Sequence, residues 1–507
     1  MKKYLPLLLG LLVVSGVYAK DKKRQEVDSL GNPIKTGWNF GILPSVAYDA
    51  DFGFQGGLLT NIYYYGDGSQ YPEYIHSIYV EAAYTTKHHG IFRVNYDSKY
   101  LIPNHRLTLD ATYLPDAMLD FYGFNGYQSL YTKEFSVWNK DYSKMDTTLY
   151  RSRVYNKFRR DLIRVAGDIE GNIYGEHLKW DVGLGVLGFL SNDVDEPLLN
   201  GKNAYDPTLP NYAQKPLNPN EPGLYEKYQS WGLISADEAR GGWHPYGRVG
   251  ITYDSRDKRQ GPNKGIYTDA FFTYNAGFNT SYYGQQAQFN NLQFNFTFRH
   301  YVPVYKDKSG RDRITFAYRI GTQNLIAGNT PFYLNNYLNT LFIQRVYYEG
   351  LGGGNSVRGL LAHRINAKGY LFANIEFRFR VVNFDIGRQH FFIGLNPFFD
   401  MGMVTQPYSL DELVQRNLGL NSLSDAIAAA NMSNGTSDQM STYFMTDSAD
   451  PTQLDNSKVY LPHMVAGLGL KIGMNENFVL SVDWAMPFDK QDNHKWANFY
   501  VKMGYLF

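Results

Sequence analysis

The chain has 507 residues, of which 44% are hydrophobic and 16% aromatic, with 48 Gly and 43 Tyr. Its 49 basic and 48 acidic residues leave a formal net charge of +1, which gives a nucleic-acid partner no electrostatic support. It contains no Cys, so disulfides and a lipid-modified N-terminal Cys are excluded. No stretch after the N-terminus is apolar over the length of a transmembrane helix, which leaves a large soluble β protein or a transmembrane barrel.

The N-terminal residues predict export. The stretch MKKYLPLLLGLLVVSGVYA has two lysines, an apolar run from Leu5 to Val14 and small residues that end at Ala19. This is the pattern of a secretory signal peptide at residues 1–19. The alternative is a membrane anchor helix, but such a helix needs about 20 apolar residues. Residues 20–36 are charged and too few to bury a core, so we predict a short periplasmic tail.

From residue 37 to residue 507, the sequence predicts one all-β domain. In NLQFNFTFRHY, apolar residues from Leu292 to Phe298 alternate with polar residues from Asn291 to Arg299. This run is longer than the ~5–6 residues of an average soluble strand and approaches the ~9–11 residues of a bilayer-crossing strand. The stretch FANIEFRFRVV repeats the pattern, and the charges on its polar face suit a water-filled lumen.

The same alternation predicts about sixteen strands, an even number such as bacterial transmembrane barrels have. They are predicted at residues 38–48, 52–64, 74–85, 90–100, 105–115, 149–173, 177–190, 244–256, 265–277, 286–302, 313–322, 366–382, 391–402, 460–472, 477–486 and 495–507. Short turns alternate with long segments at 116–148, 191–243, 323–365 and 403–459. Short turns on one rim and long extracellular loops on the other are typical of a transmembrane antiparallel β-barrel.

The last predicted strand ends the chain in an aromatic pattern. In NFYVKMGYLF we expect five residues to face outward in phase: Phe499, Val501, Met503, Tyr505 and Phe507. Such an end strand resembles the preferred substrates of the outer-membrane assembly machinery. We therefore predict that Tyr505 and Phe507 form a C-terminal assembly signal and that this machinery is a partner during biogenesis.

The stretch LGGGNSVRGL lies in the long segment 323–365, which is long enough to fold into the lumen. A barrel of about sixteen strands leaves an aqueous channel unless something fills it. Gly352, Gly353 and Gly354 allow the backbone to turn sharply, so we predict that they form a loop hinge. Arg358 brings a permanent charge whose planar fork pairs best with a carboxylate. The alternative is an exposed Gly-rich surface loop with a solvated arginine.

The motif itself resembles a known family. Val357, Arg358, Gly359 and Leu360 form a VRGL motif like the loop motif of the bacterial surface antigen family, which is the barrel of outer-membrane insertases and two-partner-secretion transporters. LPSVAYDADFGFQGG, DFYGFNG, YDSRDKRQGPNKG, NIEFRF and NPFFDMG resemble further parts of the family pattern in the expected order, although Asn and Gly are exchanged in DFYGFNG. The resemblance covers Gly37 to Phe507.

The resemblance implies a partner for the motif arginine, because the family's arginine is held by an acidic residue on the lumen wall. Strand alternation places Glu376 on the wet face of the strand after the loop and Asp400 on the wet face of the next strand. We therefore assign the lumen partner to Asp400 and give Glu376 a secondary place.

The resemblance also implies a function: a barrel that aids insertion or transport of protein or lipid at the Gram-negative outer membrane. Its expected partners are outer-membrane lipids, with periplasmic proteins or lipoproteins as possible further partners. The family usually carries periplasmic polypeptide-binding domains before the barrel, whereas only residues 20–36 precede the first strand here. A passive gated pore or structural barrel is therefore the alternative.

A barrel-embedded hydrolase is a minor third possibility. The 11 His residues are scattered and no Gly-x-Ser-x-Gly elbow occurs. We therefore predict no enzyme activity, no catalytic or metal-binding residues and no cofactor.

Overall fold

A computed structural model describes most of the barrel domain. The described residues are 34–49, 53–71, 73–86, 88–136, 149–152, 154–194, 222–258, 261–276, 289–308, 310–335, 337–338, 348–386, 389–474, 478–493 and 498–507. The predicted signal peptide at 1–19 and all but the last three residues of the predicted tail at 20–36 lie outside them. Among the described residues, no helix combines the length and apolarity that a membrane crossing requires.

Sixteen antiparallel strands form one barrel sheet, in which each strand pairs with the barrel strand that follows it in the chain, and the last strand pairs with the first. The strands are β1 (Trp38–Asp49), β2 (Gly53–Tyr64), β3 (His76–Thr85), β4 (Gly90–Ile102), β5 (His105–Asp120), β6 (Lys157–Tyr174), β7 (Leu178–Asn192), β8 (Gly241–Asp254), β9 (Gly265–Asn275), β10 (Asn291–Lys306), β11 (Asp312–Gly328), then a separate hairpin of β12 (Tyr337–Leu338) and β13 (Tyr348–Glu349), then β14 (Gly369–Ile386), β15 (Gln389–Gln406), β16 (His463–Met474), β17 (Phe478–Pro487) and β18 (Asn498–Met503). The predicted fold class, an antiparallel barrel of about sixteen strands, is confirmed.

Side chains alternate across the barrel wall as the sequence predicts. In β4, Phe92 and Val94 are exposed on the outer face, whereas Arg93 and Asn95 are buried. Both buried side chains donate hydrogen bonds to Asp110 of β5, at 2.7 and 3.1 Å. The outer face can therefore meet lipid, while the inner face satisfies its charges within the lumen.

Several strand boundaries differ from the prediction by three to six residues; β11, for example, ends at Gly328 and not at 322. Two further differences are larger or affect the site. The strand expected at 149–173 begins only at Lys157. The strand expected at 495–507 ends at Met503, because Gly504 has a φ of +86° and turns the backbone out of the sheet. The expectation that Tyr505 and Phe507 face outward is therefore wrong: Phe507 is buried against Tyr301, whose side chain is also buried.

The seam between β1 and β18 is short among the described residues. Only two residue pairs join these strands, Tyr48 with Val501 and Asp49 with Tyr500. By comparison, β17 and β18 share six pairs, from Leu480 with Met503 to Ala485 with Asn498. Residues 38–47 of β1 pair with β2 and have no pairing partner among the described residues of β18.

The long loops contain helices that the sequence analysis did not predict. They are α1 (Leu224–Ser230), α2 (Phe332–Asn335), α3 (Leu410–Leu418), α4 (Leu423–Asn434) and α5 (Met440–Tyr443). Local signals for two of them are present. The Ser422 hydroxyl accepts a hydrogen bond from the Asp425 backbone at the start of α4, and Gly419 and Gly435 end α3 and α4 with φ of +70° and +65°.

These loops pack together into a cap, which we call the dome: residues 121–136, 149–152, 154–156, 222–240, 329–335 and 407–462. Asn125 in the β5–β6 loop and Tyr408 in the β15–β16 loop exchange two hydrogen bonds, each 2.8 Å long. Met445 also donates its backbone N–H to the Gln128 carbonyl at 2.9 Å. Eight strands separate these two loops in either direction round the sheet, so a contact between them must cross the barrel mouth.

An apolar core holds the dome together. It includes Phe121, Trp231, Phe332 and Val414, all fully or almost fully buried. Glu238 lies among them, and its two carboxylate oxygens accept hydrogen bonds from the backbone N–H groups of Ser235 and Phe332, at 3.0 and 3.1 Å. Burial raises the pKa of the Glu238 carboxyl above its ordinary value. The dome is therefore a packed unit, and the Glu238 carboxylate within it is hydrogen-bonded.

Replacing Trp231 with Ala should destabilise the dome by about 3–5 kcal/mol, because a buried indole is removed and leaves a cavity. The measurement is the temperature at which the folded protein loses its fast gel migration, together with protease cleavage within residues 407–462. Met432 lies on α4 with 81% of its surface exposed, so Met432→Ala serves as the control and should change neither. Equal behaviour of the two variants would contradict a packed dome.

Candidate functional site in the barrel lumen

The VRGL motif lies inside the barrel, on a segment that we call the inner loop, residues 350–368. Leu351, Val357 and Leu360 are fully buried there. They pack against lumen-facing residues of the wall, among them Phe398 of β15 and Val465 of β16. The motif is therefore not part of an exposed surface loop.

Two of the three predicted hinge glycines adopt backbone angles that favour glycine. Gly352 has a φ of +122° and Gly353 a φ of +77°. A Cβ atom at Gly352 would lie 2.0 Å from the Leu361 carbonyl oxygen, so no other residue fits there. The third, Gly354, does not have a positive φ. Gly359 of the motif does, at +93°, and the backbone makes its second sharp turn there.

Arg358 is completely buried and pairs with Asp400 of β15. Its Nε lies 2.8 Å from Asp400 Oδ2 and its Nη2 lies 3.0 Å from Oδ1, which is a bidentate pair. The backbone N–H of Arg358 also donates to Oδ2 at 3.1 Å. The guanidinium carbon lies 3.5 Å from the centre of the Phe398 ring, so the cation is stacked as well as paired.

Two further carboxylates face the same guanidinium. Glu376 of β14 places Oε1 2.8 Å from Arg358 Nη1, and Asp483 of β17 places Oδ2 3.4 Å from it. Each carboxylate has a second cation: Arg378 Nε lies 3.0 Å from Glu376 Oε2, and Lys471 Nζ lies 2.5 Å from Asp483 Oδ1. Three strands of the wall thus converge on one arginine in a balanced network of charges.

The inner loop also contacts the seam strand β18. Tyr500 accepts a hydrogen bond from the Gly359 backbone N–H at 3.1 Å, and Asn498 donates to the Gly359 carbonyl at 3.2 Å. Lys502 donates to the Gly354 carbonyl at 2.6 Å. Alternate residues of β18 therefore hold the backbone of the inner loop, and the loop supports β18 from the lumen side.

The other end of the inner loop is attached to the dome. Arg364 is fully buried and donates to the carbonyl oxygens of Gln491, Gly126 and Ser129, at 2.8, 3.0 and 3.0 Å. Burial and then the nearby Arg160 lower the pKa of His363 to about 4, so this side chain is neutral at neutral pH. The inner loop thus connects the barrel wall, the seam strand and the dome.

Sequence reasoning missed several members of this network. Asp483 and Lys471 lie on β17 and β16, and Lys471 stands opposite Ser481 in the register of these strands. Alternation would have placed both charges on the lumen face. Lys471 is out of phase with exposed Leu470 and Ile472, and Asp483 is out of phase with the apolar residues Val482 and Trp484. Tyr500 was similarly detectable, because it is out of phase with the outward Phe499.

Replacing Arg358 with Ala should cost about 3–5 kcal/mol of barrel stability, because it leaves buried carboxylates without their shared cation. Asp400→Asn should cost a similar amount. The double variant should cost less than the sum, since both changes act on one contact. The measurement is the heat or urea midpoint of the folded gel band.

A surface ion pair gives the matched control. Arg159 is paired with Asp161 at 3.3 Å, and 44% of the Arg159 side chain is exposed. Arg159→Ala should therefore cost only about 0–1 kcal/mol. Strict additivity of Arg358→Ala and Asp400→Asn, or equal effects at Arg358 and Arg159, would contradict a buried ion pair that holds the inner loop.

Comparison with known proteins adds the family. The Omp85 superfamily domain matches residues 204–507. No curated protein matches the sequence. Among solved structures, BamA from Haemophilus ducreyi lacking POTRA domains 1–3 is 12% identical with a TM-score of 0.47, and the match covers 99% of this chain and 78% of that chain.

CdiB from Escherichia coli is 11% identical with a TM-score of 0.46, and the match covers 92% of this chain and 62% of that chain. CdiB from Acinetobacter baumannii is 10% identical with a TM-score of 0.45, and the match covers 93% of this chain and 60% of that chain. This chain therefore spans less than two thirds of either CdiB chain. Because the domain match covers more than half of the sequence, this chain, a β-barrel of the Gram-negative outer membrane, belongs to the Omp85 superfamily.

Proposed function

We propose that this barrel aids the insertion or transport of protein or lipid at the outer membrane, by opening sideways between β1 and β18. The observation that carries the proposal is the short seam, with two residue pairs among the described residues against six at the next joint. A strand edge with unpaired N–H and C=O groups is a template for another strand. Residues 38–47 of β1 present such an edge towards β18.

The inner loop fits this proposal because it holds β18 from the lumen side, through contacts that do not involve β1. Tyr500 and Asn498 contact the Gly359 peptide, and Arg358 in turn is held by the wall. A seam strand with lumenal support can separate from β1 without leaving the barrel. Opening would then cost few ladder hydrogen bonds, each worth about 0.5–1.5 kcal/mol net.

The alternative function, a passive pore, is supported less well by the described residues. The Asn125–Tyr408 contact crosses the mouth on the long-loop side, and the inner loop occupies part of the lumen. A passive channel needs a continuous aqueous path, whereas a lateral route needs an opening in the wall. The covered mouth therefore favours the lateral route.

We also propose the surroundings in which the barrel works. Residues 1–19 would direct export, residues 20–36 would lie in the periplasm, and residues 37–507 would form the membrane domain. Outer-membrane lipids would contact the outer face, the assembly machinery would act during biogenesis, and periplasmic or lipoprotein partners could present clients. The family membership supports these assignments.

Locking the seam should abolish the proposed function. The chain has no Cys, so Tyr48→Cys with Val501→Cys would form a single disulfide across the seam. In vesicles that contain the purified protein, we expect oxidation to stop folding of an added unfolded eight-stranded barrel protein, or transbilayer movement of a fluorescent phospholipid. A reducing agent should restore whichever activity is present.

The matched control is a disulfide at a joint that need not open. Leu470 and Val482 are partners between β16 and β17, so Leu470→Cys with Val482→Cys should leave activity unchanged when oxidised. Full activity with the seam locked would reject the lateral route. A steady ion conductance in the absence of both activities would favour the passive pore instead.

A further inference from the structure

We infer that the turn between β10 and β11, with the outer wall beside it, binds an anionic phospholipid in the membrane leaflet opposite the dome. We call residues 306–313 the basic turn. The loops of the dome belong to one rim of the barrel, so this turn lies on the other rim. The inference concerns the lipid around the barrel and is independent of any route between β1 and β18.

Charge is distributed unevenly around the rim that carries the basic turn. Three turns that follow one another along the sheet, at 255–264, 307–311 and 387–388, together hold seven basic and two acidic side chains. The other four turns together hold four acidic side chains and no Lys or Arg; they are at 65–75, 103–104, 175–177 and 475–477. An anionic surface is therefore attracted to one side of this rim.

The acidic residues of the basic turn are already engaged within it. Asp307 Oδ2 lies 2.9 Å from Arg313 Nε, and Asp312 Oδ1 lies 3.6 Å from Lys306 Nζ. These two pairs leave the turn with two further basic residues and no further acidic one.

Lys308 and Arg311 carry the remaining positive charge. Both are exposed, and neither has a carboxylate within 4 Å in the part of the chain that the structure describes. The Arg311 backbone N–H donates to Asp307 Oδ1 at 3.1 Å, and Gly310 has a φ of +80°. A tight, hydrogen-bonded turn therefore presents two cations at the edge of the membrane.

The wall beside the basic turn is apolar and exposed. Val304 and Tyr305 of β10 and Val381 of β14 are each 56% exposed. Farther from the turn, Phe316 of β11 packs on Phe377 of β14, with ring centres 4.9 Å apart. The strands β10, β11 and β14 are adjacent in the sheet, so these side chains form one surface next to the cations.

This combination selects one class of ligand. A soluble acidic protein would neutralise the cations without covering the apolar wall, which lies within the bilayer. A zwitterionic phospholipid would cover the wall without supplying net negative charge. An anionic phospholipid places acyl chains on the wall and its charged phosphate beside Lys308 and Arg311, so it satisfies both parts of the surface.

The turn between β6 and β7 provides an internal reference. Ile173 at the end of β6 is 52% exposed, much like Val304, and its neighbour Tyr174 is 82% exposed. The turn itself contains Glu176 and no Lys or Arg. The two places share an apolar wall and differ in the sign of the charge, so only the basic turn should favour anionic lipid.

Quenching of a fluorophore by labelled lipids measures this preference. Because the chain has no Cys, Val304→Cys and Ile173→Cys each accept one fluorophore. The labelled proteins are placed in phosphatidylcholine vesicles that contain a trace of nitroxide-labelled phosphatidylglycerol or of nitroxide-labelled phosphatidylcholine. At position 304 we expect phosphatidylglycerol to quench about fivefold more strongly, the factor that one Lys or Arg near an anionic surface typically contributes. At position 173 the two lipids should quench equally.

Charge removal tests whether the basic turn causes the preference. Lys308→Gln with Arg311→Gln should lower the quenching ratio at position 304 to the ratio at position 173. Lys99→Gln is the matched control, because Lys99 is a cation of the same rim beside β4, paired with Glu73 at 2.6 Å. It should leave the ratio at position 304 unchanged.

Salt gives a second measurement that needs no change in the turn: raising NaCl from 0.05 to 0.5 M should lower the ratio at position 304, since exposed charges are screened. Equal quenching by the two lipids at position 304 would overturn the lipid site and leave the cations to an acidic protein partner. A ratio that persists in both the double variant and high salt would also overturn it.

Discussion

A buried guanidinium determines the arrangement of the lumen. Arg358 is always charged, and it has no exposed surface, so its removal from water must be offset by carboxylates and hydrogen bonds close by. Asp400, Glu376 and Asp483 supply them from three different strands. These carboxylates would repel one another without a shared cation. The charge of the loop and the charges of the wall therefore stabilise each other.

The position of this one side chain places the rest of the inner loop. Once Arg358 is paired, the adjacent Gly359 peptide lies within hydrogen-bonding distance of Tyr500 and Asn498 on β18. Further along, Arg364 reaches carbonyl groups of the dome. A residue larger than Gly at 359 would meet Val465, and its φ would be strained. The motif thus combines a charge that anchors the loop with a glycine that allows close contact with the wall.

The sequence predicted those parts of the structure that depend on local pattern. Alternation identified all sixteen strands and placed Glu376 and Asp400 on the lumen face, because lipid and water impose a period of two on every strand. It did not predict the helices of the dome, since Trp231 and Val414 become buried only against loops distant in the chain. The contact of Asn125 with Tyr408 could not be predicted either, because no repeating sequence pattern relates these two residues.

The end of the chain shows why alternation alone is insufficient. From Phe499 to Phe507 the odd-numbered residues keep one phase, which predicts an outward aromatic strand. The sequence pattern, however, indicates only that these side chains are compatible with lipid. The Phe507 ring is also compatible with a second environment, in which it packs against the guanidinium groups of Arg319 and Arg378 beside Tyr301. A continued strand would gain ladder hydrogen bonds with β1, whereas the inward turn gains a charged hydrogen bond and buries two apolar side chains. Gly504 makes the turn inexpensive, so the choice depends on tertiary contacts that no strand pattern contains.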